Sequence, residues 1–182
     1  MRTSKRDRIL DAAVSVINRD GLGAVTFESV AAEAQLTRGG LLYHFPSREA
    51  LLRGIDEHLV KAWEASMEAL LGKRAEEATT LERYRTFVRV SAQSATRAEL
   101  MFMLESMDPE AGERPWGPVM KRWAPSPPAR AVADPAALDD FVARLAADGL
   151  WIYEAMYEGQ LDPEVRAQVT ERIAGLLSAG KA

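Results

Sequence analysis

Thr26 to Arg53 reads TFESVAAEAQLTRGGLLYHFPSREALLR, and its reading decides the fold. Thr26 is a hydroxyl N-cap. Phe27, Val30, Ala31 and Ala34 follow at i, i+3, i+4 and i+7, one apolar face of a helix. Gln35-Leu36-Thr37 breaks that period. Thr37 caps a second helix over Arg38, Gly39, Gly40, Leu41, Leu42, Tyr43 and His44, and Pro46 stops it, driving Phe45 toward an extended backbone. Ser47 caps a third helix opened by Arg48, Glu49 and Ala50. Leu41 and Phe45 are expected to bury against Ala31 and Leu36. Two short helices at a tight turn, the second beginning with small and cationic residues, are how a helix-turn-helix offers a helix N-terminus to the major groove of DNA.

Upstream, Ser4 to Asp20 reads as one more helix. Ile9, Ala13 and Ile17 make one i, i+4 ridge and Leu10 and Val14 the next. Gly21 stands where a left-handed C-terminal cap is wanted. The tail before it carries Arg2, Lys5, Arg6 and Arg8.

Residues 5 to 59 resemble the DNA-binding domain of the TetR/AcrR family of bacterial transcriptional regulators. The matching pieces are ILDAAVSVINRDGLGAVTFESVAAEA, LTRGGLLYHFPSREALL and the helix that follows. His44, Phe45, Ser47 and Arg48 fall on the family pattern, with Arg48 in place of a common Lys. Two positions depart from it. Gln35 occupies a turn position where many members carry Gly, so the turn is either strained or takes another backbone path. Leu42 stands where many carry Tyr, and the aromatic comes one residue later, at Tyr43. The phosphate contact of that earlier Tyr is therefore not carried over to Leu42. The resemblance implies an all-α protein: an N-terminal three-helix helix-turn-helix DNA-binding domain over 1–46, and a C-terminal helical ligand-binding and dimerisation domain over 47–182.

Composition fits that class. The chain has 182 residues, 47% of them hydrophobic, enough for a substantial core. It contains no run of 18 apolar residues, hence no expected membrane helix. The charged start, Arg2 to Arg8, is unlike a secretory signal. With no cysteine there is no disulfide or thiolate metal site, and a cytoplasmic location is the default expectation. Residues 1 to 53 hold 8 Lys+Arg and 6 Asp+Glu, net +2; the remainder holds 15 and 21, net −6. A mildly positive head on an acidic body suits local phosphate attraction without DNA wrapping the whole protein.

The rest reads as helix. One runs from about Arg48 to Leu71, with Leu51, Leu52, Ile55, Leu59 and Trp63 inward, and stops near Gly72. Thr79-Thr80-Leu81-Glu82 is a capping box opening a helix through Tyr84, Phe87, Val88 and Ser91 toward Thr96. Leu100 to Met107 is a short apolar helix. Asp108 to Pro135 holds 7 of the 9 prolines and is expected to be loop, apart from a short helix around Val119 to Trp123. Asp134-Pro135 and Asp162-Pro163 each start a helix, with Asp as N-cap and Pro at the first position. Gly159 ends the first of these and the second fades at Gly180.

Those last two helices are the candidate dimer interface. Leu138, Leu145 and Ile152 recur every seven residues, with Val142, Gly149 and Met156 between them. Phe141, Trp151 and Ala155 make a second apolar side. The last helix offers Val165, Val169, Ile173 and Leu176. The plainer alternative buries both stripes inside one protomer; the family resemblance favours a two-fold four-helix interface made from two copies of the pair.

The resemblance assigns DNA contact to the first turns around the presumed reading helix: Thr26, Thr37, Arg38, Gly39, Gly40, Tyr43, His44 and Arg48. Arg38 is the base reader and Arg48, Tyr43, His44 and Thr26 the phosphate contacts. Gly39 and Gly40 are costly in a helix, and close approach to DNA is one reason for them. A ligand cavity is expected among Trp63, Tyr84, Phe87, Val88, Met103, Trp116, Met120, Trp123 and Trp151, residues whose ordinary role is core packing. Enzyme readings fare poorly. The two histidines, His44 and His58, belong to no H-E-x-x-H, and there is no G-x-S-x-G or P-loop. No cofactor is expected. The sequence thus points to a homodimeric repressor on double-stranded operator DNA, released by a small-molecule effector. Two alternatives stay open: a DNA-binding regulator without a small ligand, and a helical interaction protein that has lost DNA binding.

Overall fold

The computed structural model describes residues 4–93, 96–105, 115–127, 135–156 and 161–177. The protein is all-α, and no strand occurs among the described residues. The helices are α1 (Lys5–Asp20), α2 (Phe27–Glu33), α3 (Arg38–His44), α4 (Arg48–Leu71), α5 (Thr80–Ser91), α6 (Arg97–Glu105), α7 (Trp116–Trp123), α8 (Pro135–Met156) and α9 (Pro163–Ala174). Two 3-10 turns, Leu22–Ala24 and Ala75–Glu77, were not foreseen.

The chain divides into two compact units. One takes α1 to α3, α4 up to Ala62, and α6; the other takes α4 from Trp63, α5, α7, α8 and α9. The 46/47 boundary read from sequence therefore falls inside the first unit.

In the first unit, Ser4 caps α1 by accepting from the Asp7 N–H at 3.0 Å, and Gly21, at φ 86°, ends it. Ile9, Leu10, Ala13, Val16 and Ile17 are buried and α1 packs on α2 and α6, while Val14 is only half-buried. Val30, Ala31 and Ala34 bury the inner face of α2 as its period requires. The turn after α2 is a Schellman motif. The Leu36 N–H donates to Ala31 O (2.9 Å) and the Gln35 N–H to Ala32 O (3.2 Å). Gln35 takes the left-handed position at φ 55°, so the strained alternative is the one observed. Arg8 reaches across from α1 to donate to Ala34 O at 3.3 Å, which satisfies a carbonyl at that helix end.

Leu41 and Phe45 are buried, as the sequence demanded. Room for Phe45 comes from Gly54 on α4. A β carbon on Gly54 would lie 2.6 Å from Phe45 Cε1 and 3.3 Å from Leu10 Cδ2. The same unit is tied by His58 Nε2 to Asp11 Oδ1 at 2.8 Å and by the Ala98 N–H, which donates to Asn18 Oδ1 at 2.8 Å.

The chain beyond α4 corrects several expectations. The Thr79 capping box is present, and its Glu82 is held at a pKa of about 2, chiefly by Lys73 and then by the Thr79 N–H. But α5 ends at Ser91 instead of running toward Thr96, because Thr96 starts a new helix. The Thr96 N–H and hydroxyl donate to Glu99 Oε2 (3.1 and 2.9 Å) and the Glu99 N–H returns to Thr96 Oγ1 (3.2 Å), a second T-x-x-E box. The helix expected from Leu100 to Met107 accordingly begins at Arg97; Met107 lies outside the described residues. The short helix expected at Val119 to Trp123 begins earlier, at Trp116. Asp162 caps α9 as expected, accepting from the Glu164 and Val165 N–H groups, but α9 ends at Ala174 with Gly175 as its cap, short of Gly180. Asp134 and Gly159 are outside the described residues.

Around α8, the buried face is Ala143, Ala147, Leu150 and Trp151, with Phe141 and Ala155 only half-buried. α5 packs on α7, α8 and α9. Glu154 of α8 holds Arg166 of α9 (Oε2 to Nη2, 2.8 Å) and accepts from the Leu161 N–H at 3.3 Å, with its own side chain only 8% exposed. That pair fixes how α8 meets α9, since a buried carboxylate needs its partner.

The left-handed Gln35 yields a stability prediction. A non-glycine there costs about 1–2 kcal/mol in the folded state, and glycine returns part of that through its looser unfolded chain. Gln35→Gly is expected to stabilise the protein by about 1 kcal/mol, raising the thermal midpoint by about 2–4 °C. Calorimetry checks this; an unchanged or lowered midpoint counts against a strained turn.

Candidate functional site

The surface built by α2, α3 and the start of α4 carries the residues singled out for DNA. Thr26 caps α2, accepting from the Ser29 N–H at 3.0 Å, and stays exposed. Thr37 caps α3, accepting from the Gly40 N–H at 3.1 Å. Gly40 has a reason inside the molecule, since a β carbon there would meet Thr37 Oγ1 at 3.3 Å. Around Gly39 a β carbon would meet nothing within 4 Å, so packing inside the molecule does not require glycine there.

α3 is seven residues long and divides by face. Leu41 is fully buried, while Arg38, Leu42 and Tyr43 are exposed, Tyr43 at 86%. So exposed an aromatic adds little to the core. His44 is half-buried and stands edge-on to the Tyr43 ring, centroids 5.2 Å apart. Arg48 is exposed, yet its Nε donates to Val25 O at 3.4 Å. That long bond gives Arg48 a local partner just before the α2 N-cap. Arg38 has a partner that sequence reasoning missed: its Nε lies 3.1 Å from Glu28 Oε1. The expected DNA residues thus all fall in one unit, at the N-terminal ends of α2, α3 and α4 and on the outer side of α3.

The dimer candidates divide. Leu138, Val142, Leu145 and Ile152 of α8 are exposed at 41, 42, 55 and 39%, and Met156 at 64%. On α9, Val165 and Val169 are exposed at 46 and 36%, and Leu176 lies beyond them on the same side at 40%. Ile173 is a correction: it is buried within the protomer beside Thr170 and Leu177. The i, i+4 ridge through Val165 and Val169 advances 40° per step, so its third member turns into the core. A shallow open dent lined by Gln168, Glu171, Arg172, Gly175 and Leu176 borders this stripe.

Among the ligand candidates, Trp63, Phe87, Val88, Trp116, Trp123 and Trp151 are buried, and Tyr84, Met103 and Met120 half-buried. Met103 belongs to the first unit and the others to the second. Trp63 stands edge-on to both Phe87 and Trp116, each 6.1 Å away between centroids. The Trp123 indole donates to Glu64 Oε1 at 3.0 Å, which also holds Arg122 at 2.8 Å. Burial, with the nearby Asp140 charge, pushes the Tyr84 phenol above its usual range. Of these candidates, Trp63, Phe87 and Trp116 are brought together as one aromatic cluster. Among the described residues no group of three acidic or histidine side chains can hold a metal ion, and no helix is long and apolar enough to cross a membrane.

Comparison with known proteins follows the same division. The family model described as bacterial regulatory proteins, tetR family, matches residues 9–55. The model of the tetracyclin repressor-like C-terminal domain matches residues 81–178, more than half the chain. The chain is similar to the HTH-type transcriptional regulator BetI of Paraburkholderia xenovorans, 27% identical over 68% of this chain and 53% of that protein. It is also similar to the HTH-type transcriptional regulator RutR of Escherichia coli, 29% identical over 58% and 49%. The chain thus spans about half the length of the curated relatives it matches. Among solved structures, AibR in complex with isovaleryl coenzyme A and operator DNA superposes with a TM-score of 0.62 at 21% identity, covering 96% of this chain and 98% of that one. The multidrug binding protein EbrR with malachite green gives 0.58 at 20%, covering 97% and 100%. At these identities the likeness concerns the fold.

Thr37 separates capping from DNA contact. Thr37→Ala is expected to lose about 1 kcal/mol of stability in the absence of DNA, and Thr37→Ser to keep most of it. Urea unfolding reads both; equal midpoints for all three proteins would mean that the cap does not hold α3.

Proposed function

Since the chain belongs to the TetR family of bacterial regulatory proteins, we propose that it is a cytoplasmic, homodimeric DNA-binding transcriptional repressor. Two copies of α3 enter successive major grooves of a palindromic operator, and a small apolar or amphipathic molecule in the helical body releases them. The observation that carries this is the two-faced α3. Leu41 and Phe45 lock its inner side while Arg38, Gly39 and Tyr43 are exposed on the other.

Each residue has a task in this account. Arg38 reads a base, most favourably guanine through O6 and N7. Tyr43, His44, Thr26 and Arg48 contact phosphates and fix register. Leu138, Val142, Leu145 and Ile152 with Val165 and Val169 make an apolar face too continuous to be left in water, and a second copy covers it by two-fold symmetry. Effector binding is supported by the Trp-rich second unit and by neighbours of the same fold named together with small molecules. An effector acts only through unequal affinity for the DNA-bound and released arrangements. Two connections serve to carry its signal. One is α4, which contributes to both units; the other is the chain itself, which passes from the second unit into α6 of the first.

Two experiments test this. Binding-site selection from random duplexes is expected to return a palindrome. Arg38→Ala should lose preference at one base pair per half-site, about 1–3 kcal/mol, and a selected consensus that survives Arg38→Ala removes the base-reading role. Sedimentation should give a dimer of about twice the 20.0 kDa chain. Leu145→Glu, at a position exposed in the protomer, should give a folded monomer with lost operator affinity. A wild-type monomer at micromolar concentration, or a Leu145→Glu dimer, refutes the proposed interface.

A further inference from the structure

Glu28 and Arg38 stand ten positions apart on different helices, yet Arg38 Nε lies 3.1 Å from Glu28 Oε1, with each side chain 65% exposed. The Schellman turn at Gln35 reverses the chain and brings the first turn of α2 opposite the first turn of α3. An exposed pair of this kind adds little to stability. Its position is the informative part. Arg38 is the first residue of α3, where the positive end of the helix dipole repels a cation. Glu28 sits in the first turn of α2, where an anion is favoured. The other acidic residue of α2, Glu33, is occupied by Arg19 at 2.9 Å. Glu28 thus neutralises the one α3 cation and sets the direction of its guanidinium.

From this we infer that Glu28 is a specificity-determining positioning residue for DNA, acting through Arg38; the inference rests on the DNA-binding role proposed above. The contact is made by Nε. The two terminal nitrogens of the guanidinium are then left to a guanine edge, which accepts such a fork at O6 and N7. Held this way, Arg38 gives up the phosphate contact that a loose arginine makes with any sequence. The Glu28 carboxylate also repels phosphates that approach without the right base. The acidic side chain therefore trades general affinity for discrimination.

Glu28→Gln removes the charge and keeps the size. It is expected to strengthen binding to a random-sequence duplex several-fold and to steepen its salt dependence by about one in the logarithmic slope. At the selected operator, discrimination at the base pair read by Arg38 should fall about ten-fold, other positions being unchanged. The decisive arm is the double variant with Arg38→Ala: there Glu28→Gln should no longer alter base preference, because it works through the arginine. Circular dichroism should show the helices of all variants intact. If wild type selects an operator and Glu28→Gln leaves base preference and salt slope unchanged, the positioning role is overturned while DNA binding stands. If Glu28→Gln strengthens DNA binding equally in the Arg38→Ala background, Glu28 is only a repulsive charge and the inference fails. If wild type binds no duplex at all, the DNA-binding proposal falls, and this inference with it.

Discussion

The presentation of α3 depends on one close packing, the Phe45 ring over Gly54. A helix of two turns has no stability of its own in water, so tertiary contacts must set both its existence and its direction. Thr37 caps its front. Leu41 and Phe45 are its only fully buried anchors, and Phe45 follows the last helical residue. Pro46 keeps Phe45 extended, at φ −136°, so the ring turns back into the core instead of continuing the helix. Arg6 stacks over the same ring, 5.2 Å from its centroid. Any side chain at position 54 would push the ring, and with it the exposed face bearing Arg38 and Tyr43.

The head was legible because its signals are local. A hydroxyl cap, an apolar face at helical spacing, a proline stop and a second cap follow one another within residues 26 to 48. What the sequence hid there is contact between distant positions. Gly54 looks like an ordinary helical glycine until Phe45 is placed over it. Glu28 looks like a first-turn acid until the turn at Gln35 swings Arg38 beside it. Arg8 reads as part of a basic tail, but it serves the Ala34 carbonyl. The Gln35 question was visible in the sequence, and only the backbone could answer it.

The body was less legible, for two reasons. Amphipathic helices with apolar residues on both sides do not say which side is inner. On α8 the small residues Ala143 and Ala147 took the core and the larger Leu138, Val142, Leu145 and Ile152 were left outside. Leu150 and Trp151 share that core face, so residue size does not tell the two sides apart. Period matching also runs over boundaries. The pattern through Phe87, Val88 and Ser91 extends toward Thr96, so Thr96 passed as the end of one helix although with Glu99 it caps the next. Ile173 failed by the same drift of an i+4 ridge around a helix. Charge pairs such as Glu154 with Arg166 and Glu64 with Arg122 lie far apart in the chain and carry no local signature.

The central claim is that two copies of one exposed helix face grip DNA together. The most direct measurement is hydroxyl-radical footprinting of the wild-type protein on the duplex that selection returns. The account predicts two protected patches on each strand, related by a two-fold axis and centred about 34–36 Å apart, one turn of the double helix. A single asymmetric patch, or cleavage unchanged by saturating protein, would contradict it.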